Sequence, residues 1–191
     1  MEREILFTGI GGQGVQLAAQ VLARAATLEG REVTYLGVYG GMMRGGNTDS
    51  TVVVADAPIL VPPVVSHAWA AIAMHDDYWP AVEAKLRPGG VVLVNDATFS
   101  SGVRGDVAVH RVPATTVATE LGTPLSGALV MLAAFCALTG LVDQASLATA
   151  MRASIPSYRT HHIEANERAL RAGSQLLPAG RVPAWEETAH V

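Results

Sequence analysis

Two glycine-rich segments hold the residues best suited to chemistry. The first is Gly9-Ile10-Gly11-Gly12-Gln13-Gly14, whose glycines at 9, 11 and 14 fit the spacing G-x-G-x-x-G. Glycine lets the backbone approach a ligand closely, and a helix starting just after it would aim unpaired N–H groups and its positive dipole end at an anion. The same glycines serve a tight turn and close helix–sheet packing equally well without any ligand. Gln13 is placed either to bond a ligand or to cap the turn. The second segment is Tyr39-Gly40-Gly41-Met42-Met43-Arg44-Gly45-Gly46-Asn47. One planar cation in a deformable backbone suits a phosphate or carboxylate; alternatively Arg44 is the solvated or partner-facing arginine of a long hairpin loop. The candidate ligand-binding or interface residues are therefore Gly9, Gly11, Gly12, Gln13, Gly14, Tyr39, Arg44, Gly45, Gly46 and Asn47.

No other set of residues amounts to a catalytic centre, and none is assigned as catalytic or as a metal site. A dinucleotide fold of the usual kind needs an acid at the end of strand two to hold the ribose, and this chain has Tyr35-Leu36-Gly37 there. His67, His75, Asp76 and Asp77 are potential metal ligands by type, but Asp76-Asp77 stand where a helix cap belongs. His161-His162 before Glu164 read as a polar opening to a helix. Cys136, among Ala, Phe and Leu, reads as a small core residue. Ser100-Ser101-Gly102 lacks the nucleophile-elbow pattern. Asn95-Asp96 ends a strand, where it serves a ligand, a partner or a turn; Arg159 and Asn166 are suited to capping, solvent or a neighbouring chain.

The elements that must position these residues follow from periodicity. Ile5 to Thr8 is a buried strand leading into the first glycine loop. Val15, Ala18, Ala19, Leu22, Ala25 and Ala26 have helical spacing, and Gly30 is placed to end that helix. Glu32 to Leu36 and Ser50 to Val54 are strands two and three. The loop between them has no helical period, and a parallel crossover needs one, so they are expected to be antiparallel neighbours in a mixed sheet. Ala70 to Met74 is strand four, followed by a helix running to about Leu86. Arg87-Pro88-Gly89-Gly90 turns into strand five, Val91 to Val94, and Val107 to Val112 is a further strand. A helical half follows, with helices near 115–121, 125–138, 144–151 and 161–172, the last ended by Gly173. The expectation is one layered α/β domain over residues 1–175, a mixed, mostly parallel sheet flanked by helices, and an extended or mobile tail over 176–191.

Composition narrows the function. Half of the 191 residues are hydrophobic and 16% are charged, below the roughly 25% typical of soluble domains. Burial against partner subunits accounts for so little polar surface. A net charge of −4 with no Lys/Arg cluster argues against nucleic acid. The run Leu125 to Leu138 is too short to span a membrane. The N-terminus enters a strand directly with no signal-peptide pattern, and a single cysteine cannot form an intrachain disulfide or hold an iron–sulfur cluster. A cytoplasmic chain is expected.

Taken together, Gly9 to Val15, Tyr39-Gly40 and Arg44-Gly45-Gly46 resemble the gamma subunit or domain of the 2-oxoacid:acceptor oxidoreductases, which act on pyruvate, 2-oxoglutarate, ketoisovalerate or indolepyruvate. The likeness continues in order through Val52 to Asp56, Leu86 to Gly90, Leu138 to Val142, Asn166 to Ala169 and Gly173, covering roughly residues 4 to 175. Two departures stand out. The family often has Pro or Ala and then an acid after Tyr-Gly, where this chain has Gly41, Met42 and Met43; it often has Asn where this chain has Ser126. The resemblance implies a gamma subunit that binds no cofactor alone. Its complex would use thiamine diphosphate, magnesium and iron–sulfur clusters, with CoA as substrate. Its partners would be alpha and beta thiamine-binding subunits and a ferredoxin-like subunit or domain, with no nucleic acid and no membrane. The reaction would be oxidative decarboxylation of a 2-oxoacid to an acyl-CoA, electrons passing to ferredoxin or another acceptor. The alternatives are a free-standing nucleotide-binding module and a self-sufficient NAD-dependent oxidoreductase.

Overall fold

The structure, a computed structural model, describes residues 1–39, 46–60 and 64–185. Gly40 to Gly45 of the second glycine loop lie outside them, as does the side chain of Tyr39. The strands are β1 (Glu2–Thr8), β2 (Glu32–Tyr39), β3 (Thr48–Ala55), β4 (Ala68–Ala73), β5 (Leu86–Asn95) and β6 (Ala108–Val112). The helices are α1 (Val15–Leu28), α2 (Trp79–Glu83), α3 (Ala114–Glu120), α4 (Gly127–Thr139), α5 (Gln144–Ser154) and α6 (Ile163–Gly173). The six strands form one sheet in the order β2-β3-β1-β4-β5-β6. β1, β4, β5 and β6 run parallel, and β3 is antiparallel to both β1 and β2. The mixed sheet and the antiparallel β2–β3 pair are as expected from the missing crossover helix.

Alternation along the strands gives the sheet two faces. Ile5, Phe7, Val52, Val54, Ile72 and Leu93 point into the larger core, against α1 and α4. α4 is apolar all round and is buried along its whole length except Ala137, as expected of a helix at the centre of a layered domain. The last turns of α4 leave carbonyls without intrahelical partners, and the irregular C-terminal stretch supplies them. Gly180, Val182 and Ala184 donate their N–H groups to the carbonyls of Ala137, Leu138 and Thr139 at 2.9, 3.0 and 2.7 Å. Trp185 donates from Nε1 to the Leu141 carbonyl at 3.1 Å, and the Arg31 guanidinium stands 4.0 Å over its ring.

Local details depart from the sequence expectations for identifiable reasons. The helix after β4 is only five residues long and has no side-chain cap; the carboxylate of Asp76 is occupied by Ser100 and Ser101 instead. Arg87 to Gly90 is no turn between elements. It lies inside β5 as a bulge, because Ala68 pairs with Leu86 while Ala70 pairs with Val91. The last helix begins at Ile163, after a 3₁₀ segment, Ser157–His162. Gly173 does not end it through a left-handed cap. A Cβ there would stand 2.2 Å from the Val130 carbonyl oxygen, so glycine is needed for α6 to lie against the backbone of α4. Among the described residues, no helix is long and apolar enough to cross a membrane.

Candidate functional site

The carboxyl ends of β1 and β4 and the start of α1 meet at the first glycine loop. β1 must be buried on both faces to sit between β3 and β4, so the chain can turn away only where small residues permit it. Gly9 is packed so tightly that a Cβ would fall 2.6 Å from Gln13 Oε1 and 2.8 Å from Val15 Cγ2. Gly12 and Gly14 adopt φ of 102° and 78°, the left-handed region that glycine enters without steric cost. Gly14 is the residue preceding α1, whose first turn carries no acid. Gln13 staples the turn from both ends: its Oε1 accepts from the Ile10 N–H at 2.9 Å, and its Nε2 donates to the Met74 carbonyl at 3.3 Å.

The structure joins the two glycine loops through their backbones. Gly11 donates to the Gly46 carbonyl at 2.9 Å, Thr48 donates to the Gly9 carbonyl at 3.0 Å, and Ile10 pairs with Asn47 as an isolated antiparallel bridge. Gly9, Gly11, Gly12, Gln13, Gly14, Gly46 and Asn47 thus belong to one surface, and Arg44 and Gly45 lie outside the described residues. This arrangement commits part of the turn's donors. Gly11 N–H goes to Gly46 and Gln13 N–H to the Ile10 carbonyl at 3.2 Å. Anion-binding capacity then rests on Gly12, Gly14 and the first turn of α1, whose N–H groups have no carbonyl within the helix.

Polar atoms buried at this junction are the signal that sequence reading missed. Thr8 Oγ1, Gln16 Oε1, Asn47 Oδ1, Asp49 Oδ1 and Ser50 Oγ are buried and have no hydrogen-bond partner among the described residues. Asn47 Nδ2 donates to Asp49 Oδ2 at 2.9 Å, which leaves the other oxygen of each group unmatched. Most buried polar groups in folded proteins are paired; of these, Gln16 and Ser50 lie on the α1 side of the sheet and Thr8 and Asp49 on the opposite side. A polar run, Asn47-Thr48-Asp49-Ser50-Thr51, leading into an apolar strand is their trace in the sequence. The reading also passed over Leu125, whose carbonyl stands 3.4 Å from where a Gly14 Cβ would be, and which is 74% exposed beside the turn.

The remaining candidates resolve into structural roles. Asn95 is fully buried; its Nδ2 donates to Thr98 Oγ1 at 2.6 Å and Thr115 Oγ1 at 2.8 Å, and its Oδ1 accepts from the Thr115 N–H at 3.2 Å. It ties the end of β5 to α3. Asp96 pairs with Arg111 at 3.1 Å. His75, Asp76 and Asp77 bring their ligand atoms within 4.8 Å of one another, while His67 bonds to Ser66. Asp76 Oδ2 accepts from the N–H and hydroxyl of both Ser100 and Ser101 at 2.9 to 3.1 Å. Those bonds, led by the two from Ser100, hold its carboxyl at a pKa of about 2. Ser126 donates to Asn166 at 2.8 Å, a buried pair joining the start of α4 to α6. Burial pushes the Cys136 thiol well above its ordinary value, so it is inert.

Three comparisons bear on this surface. The profile of the family described as pyruvate ferredoxin/flavodoxin oxidoreductase matches residues 4–176. The 2-oxoglutarate synthase subunit KorC of Methanocaldococcus jannaschii is 34% identical over 160 residues, 82% of this chain and 85% of that protein. Among solved structures, the gamma subunit of a keto/oxoacid ferredoxin oxidoreductase from Geobacter sulfurreducens PCA superposes with a TM-score of 0.80 at 28% identity, covering 92% of this chain and 96% of that one. The fold also recurs, at TM-score 0.80 and 17% identity, in the 2-oxoglutarate:ferredoxin oxidoreductase of Magnetococcus marinus, solved with 2-oxoglutarate, coenzyme A and succinyl-CoA bound. That match covers 95% of this chain and 33% of that one.

Proposed function

We infer the role of this chain from its kinship: it belongs to the pyruvate ferredoxin/flavodoxin oxidoreductase family and is a gamma subunit of the 2-oxoacid:ferredoxin oxidoreductases, working within a multisubunit complex. The alternative of a free-standing nucleotide-binding module finds no support among these relatives. The finer reading is as follows. Alpha and beta subunits hold thiamine diphosphate and magnesium, and a ferredoxin-like subunit or domain holds the iron–sulfur clusters. In such a cytoplasmic complex these groups supply decarboxylation and electron transfer. This chain supplies no catalytic side chain; residues 1–175 act as the gamma-type unit and 176–191 as its tail.

Its own contribution is a binding edge. The observation that carries this reading is the joining of the two glycine loops by the Gly11–Gly46 and Thr48–Gly9 hydrogen bonds. That junction puts Gly12, Gly14 and the N-terminus of a 14-residue helix beside Gly46 and Asn47. The site suits a phosphate-bearing substrate such as CoA: close backbone approach, positive dipole and no acid in the first helical turn. Gly9, Gly11 and Gln13 hold the turn's shape, while Gly46 and Asn47 stand on the ligand-facing or partner-facing side; a part in it for the Tyr39 side chain, Arg44 and Gly45, which lie outside the described residues, rests on the sequence resemblance alone.

The test is turnover of the reconstituted complex with CoA varied. Gly12→Val places a branched side chain at φ of 102°, which only glycine enters freely. It is expected to raise the KM for CoA about tenfold, corresponding to about 1.4 kcal/mol of lost binding, and to leave the KM for the 2-oxoacid unchanged. Equal losses for both substrates, or none, would overturn the CoA reading.

A further inference from the structure

A series of contacts leads from the first glycine turn to an exposed segment that carries a cation. The Leu125 carbonyl oxygen lies 3.4 Å from where a Gly14 Cβ would stand. The next residue, Ser126, donates to Asn166 at 2.8 Å. Asn166 follows His162, the residue that precedes α6, by one helical turn, about 5.4 Å along the axis. The 3₁₀ segment Ser157–His162 is thereby tethered to the turn assigned above to a phosphate-bearing substrate.

The fold makes no polar use of this segment's side chains. Residues 156–162 are all exposed, Tyr158 to 74%. Among the described residues, the side chains of Tyr158, Arg159, His161 and His162 have no hydrogen-bond or ion-pair partner in the rest of the domain. They group with one another instead. The Arg159 guanidinium stands 5.5 Å over the Tyr158 ring, and the rings of His161 and His162 lie 4.1 Å apart. Neighbouring arginines are matched by acids, Arg152 by Glu167 and Arg168 by Glu164. Arg159 is not. On a chain of net charge −4, one free guanidinium and two imidazoles stand together in solvent.

We propose that Arg159, with His161 and His162, binds the 3′-phosphate of CoA while the glycine turn receives the diphosphate. This rests on the CoA reading above. CoA carries its 3′-phosphate on the ribose, apart from the diphosphate, so its anions need two receiving sites. A planar guanidinium fork fits a phosphate through two parallel hydrogen bonds. Each imidazole has a ring N–H to donate whether neutral or charged, and the Tyr158 ring beneath the guanidinium limits its freedom. A lone exposed ion pair with a carboxylate is worth little; a phosphate monoester offers three terminal oxygens to three side chains within four residues.

The test compares CoA with 3′-dephospho-CoA as substrates of the reconstituted complex. With the wild-type chain the KM for dephospho-CoA is expected to exceed that for CoA about tenfold. With Arg159→Ala the ratio should fall below about threefold, because only CoA loses binding, and Arg159→Lys should fall between the two. The double change His161→Ala and His162→Ala should lower the ratio by a smaller factor. All three positions are exposed, so urea titration of these variants should match wild type. Gly12→Val is expected to weaken both substrates alike and keep the ratio. A wild-type ratio in Arg159→Ala, or a wild-type complex that does not distinguish the two substrates, overturns the 3′-phosphate site and leaves the CoA reading to stand on Gly12→Val. Loss of the Arg159→Ala chain from the purified complex makes an acidic surface of another subunit the occupant and also overturns it. No effect of Gly12→Val on either substrate sinks the CoA reading of the turn instead.

Discussion

The two faces of the sheet are finished differently. The inner face is closed: α1 and α4 cover it, α5 and α6 pack on them, and α4 is buried on every side except at Ala137. Among the described residues, the outer face is covered by a helix over β4 and β5, while over β2 and β3 Leu36 and Val38 are exposed beside buried oxygens that have no partner. Burial of apolar area drives folding, so the inner face, with the larger buried cluster, makes the larger contribution to the stability of the chain. A second, smaller cluster around Trp79 and Phe99 adds to it on the outer face over β4 and β5, and the exposed leucine and valine over β2 and β3 add less.

Matched truncations sharpen this contrast most strongly. Leu132→Ala, in the middle of α4 and fully buried, is expected to destabilise the chain by about 3 kcal/mol, lowering Tm by about 10 °C. Leu36→Ala on the outer face should change stability by less than about 0.5 kcal/mol. Urea titration of the isolated variants measures both; a similar loss from each would break the distinction. Gly173→Ala comes next, because its Cβ would stand 2.2 Å from the Val130 carbonyl oxygen. Separating α6 from α4 should cost about 2 kcal/mol, and a neutral result in the same titration would show that the helices part easily.

A smaller effect is expected from Ser126→Ala, which leaves Asn166 buried without its donor: about 1 kcal/mol, again by urea. The smallest concerns pH. Asp76 is held at a pKa of about 2, below its unfolded value, so the stability it adds is full above about pH 4 and is lost as the pH falls toward 2. Asp76→Asn should remove that contribution, lowering stability at pH 7 to 8 and flattening the acid part of the profile. An unchanged acid limb in the variant would show that the Ser100 and Ser101 bonds do not hold the carboxylate.

Much of the fold was legible because it depends on local pattern. The strand entering the first glycine loop, the small-residue face of α1 and the antiparallel β2–β3 pair all follow from spacing along the chain. The errors arose where a distant residue took over a local role. Asp76 suits a helix cap by position, but Ser100 and Ser101 reach it from another loop. Gly173 suits a helix end by type, but its smallness is used against Val130, far away in sequence. At the site, the glycines of both loops could be named from sequence, although not the hydrogen bonds that join them. The unmatched oxygens of Thr8, Asn47 and Asp49 could not be found that way, because a missing partner is visible only once the surroundings are known.

The most direct test of the central claim is turnover with and without the other subunits. The isolated chain should neither decarboxylate pyruvate or 2-oxoglutarate nor reduce a ferredoxin or a nicotinamide. The complex purified through another subunit should contain this chain and show oxoacid-dependent, CoA-dependent reduction of ferredoxin, and that activity should be lost when this chain is omitted from reconstitution. Turnover by the chain alone, or full activity of a complex that lacks it, would contradict the account.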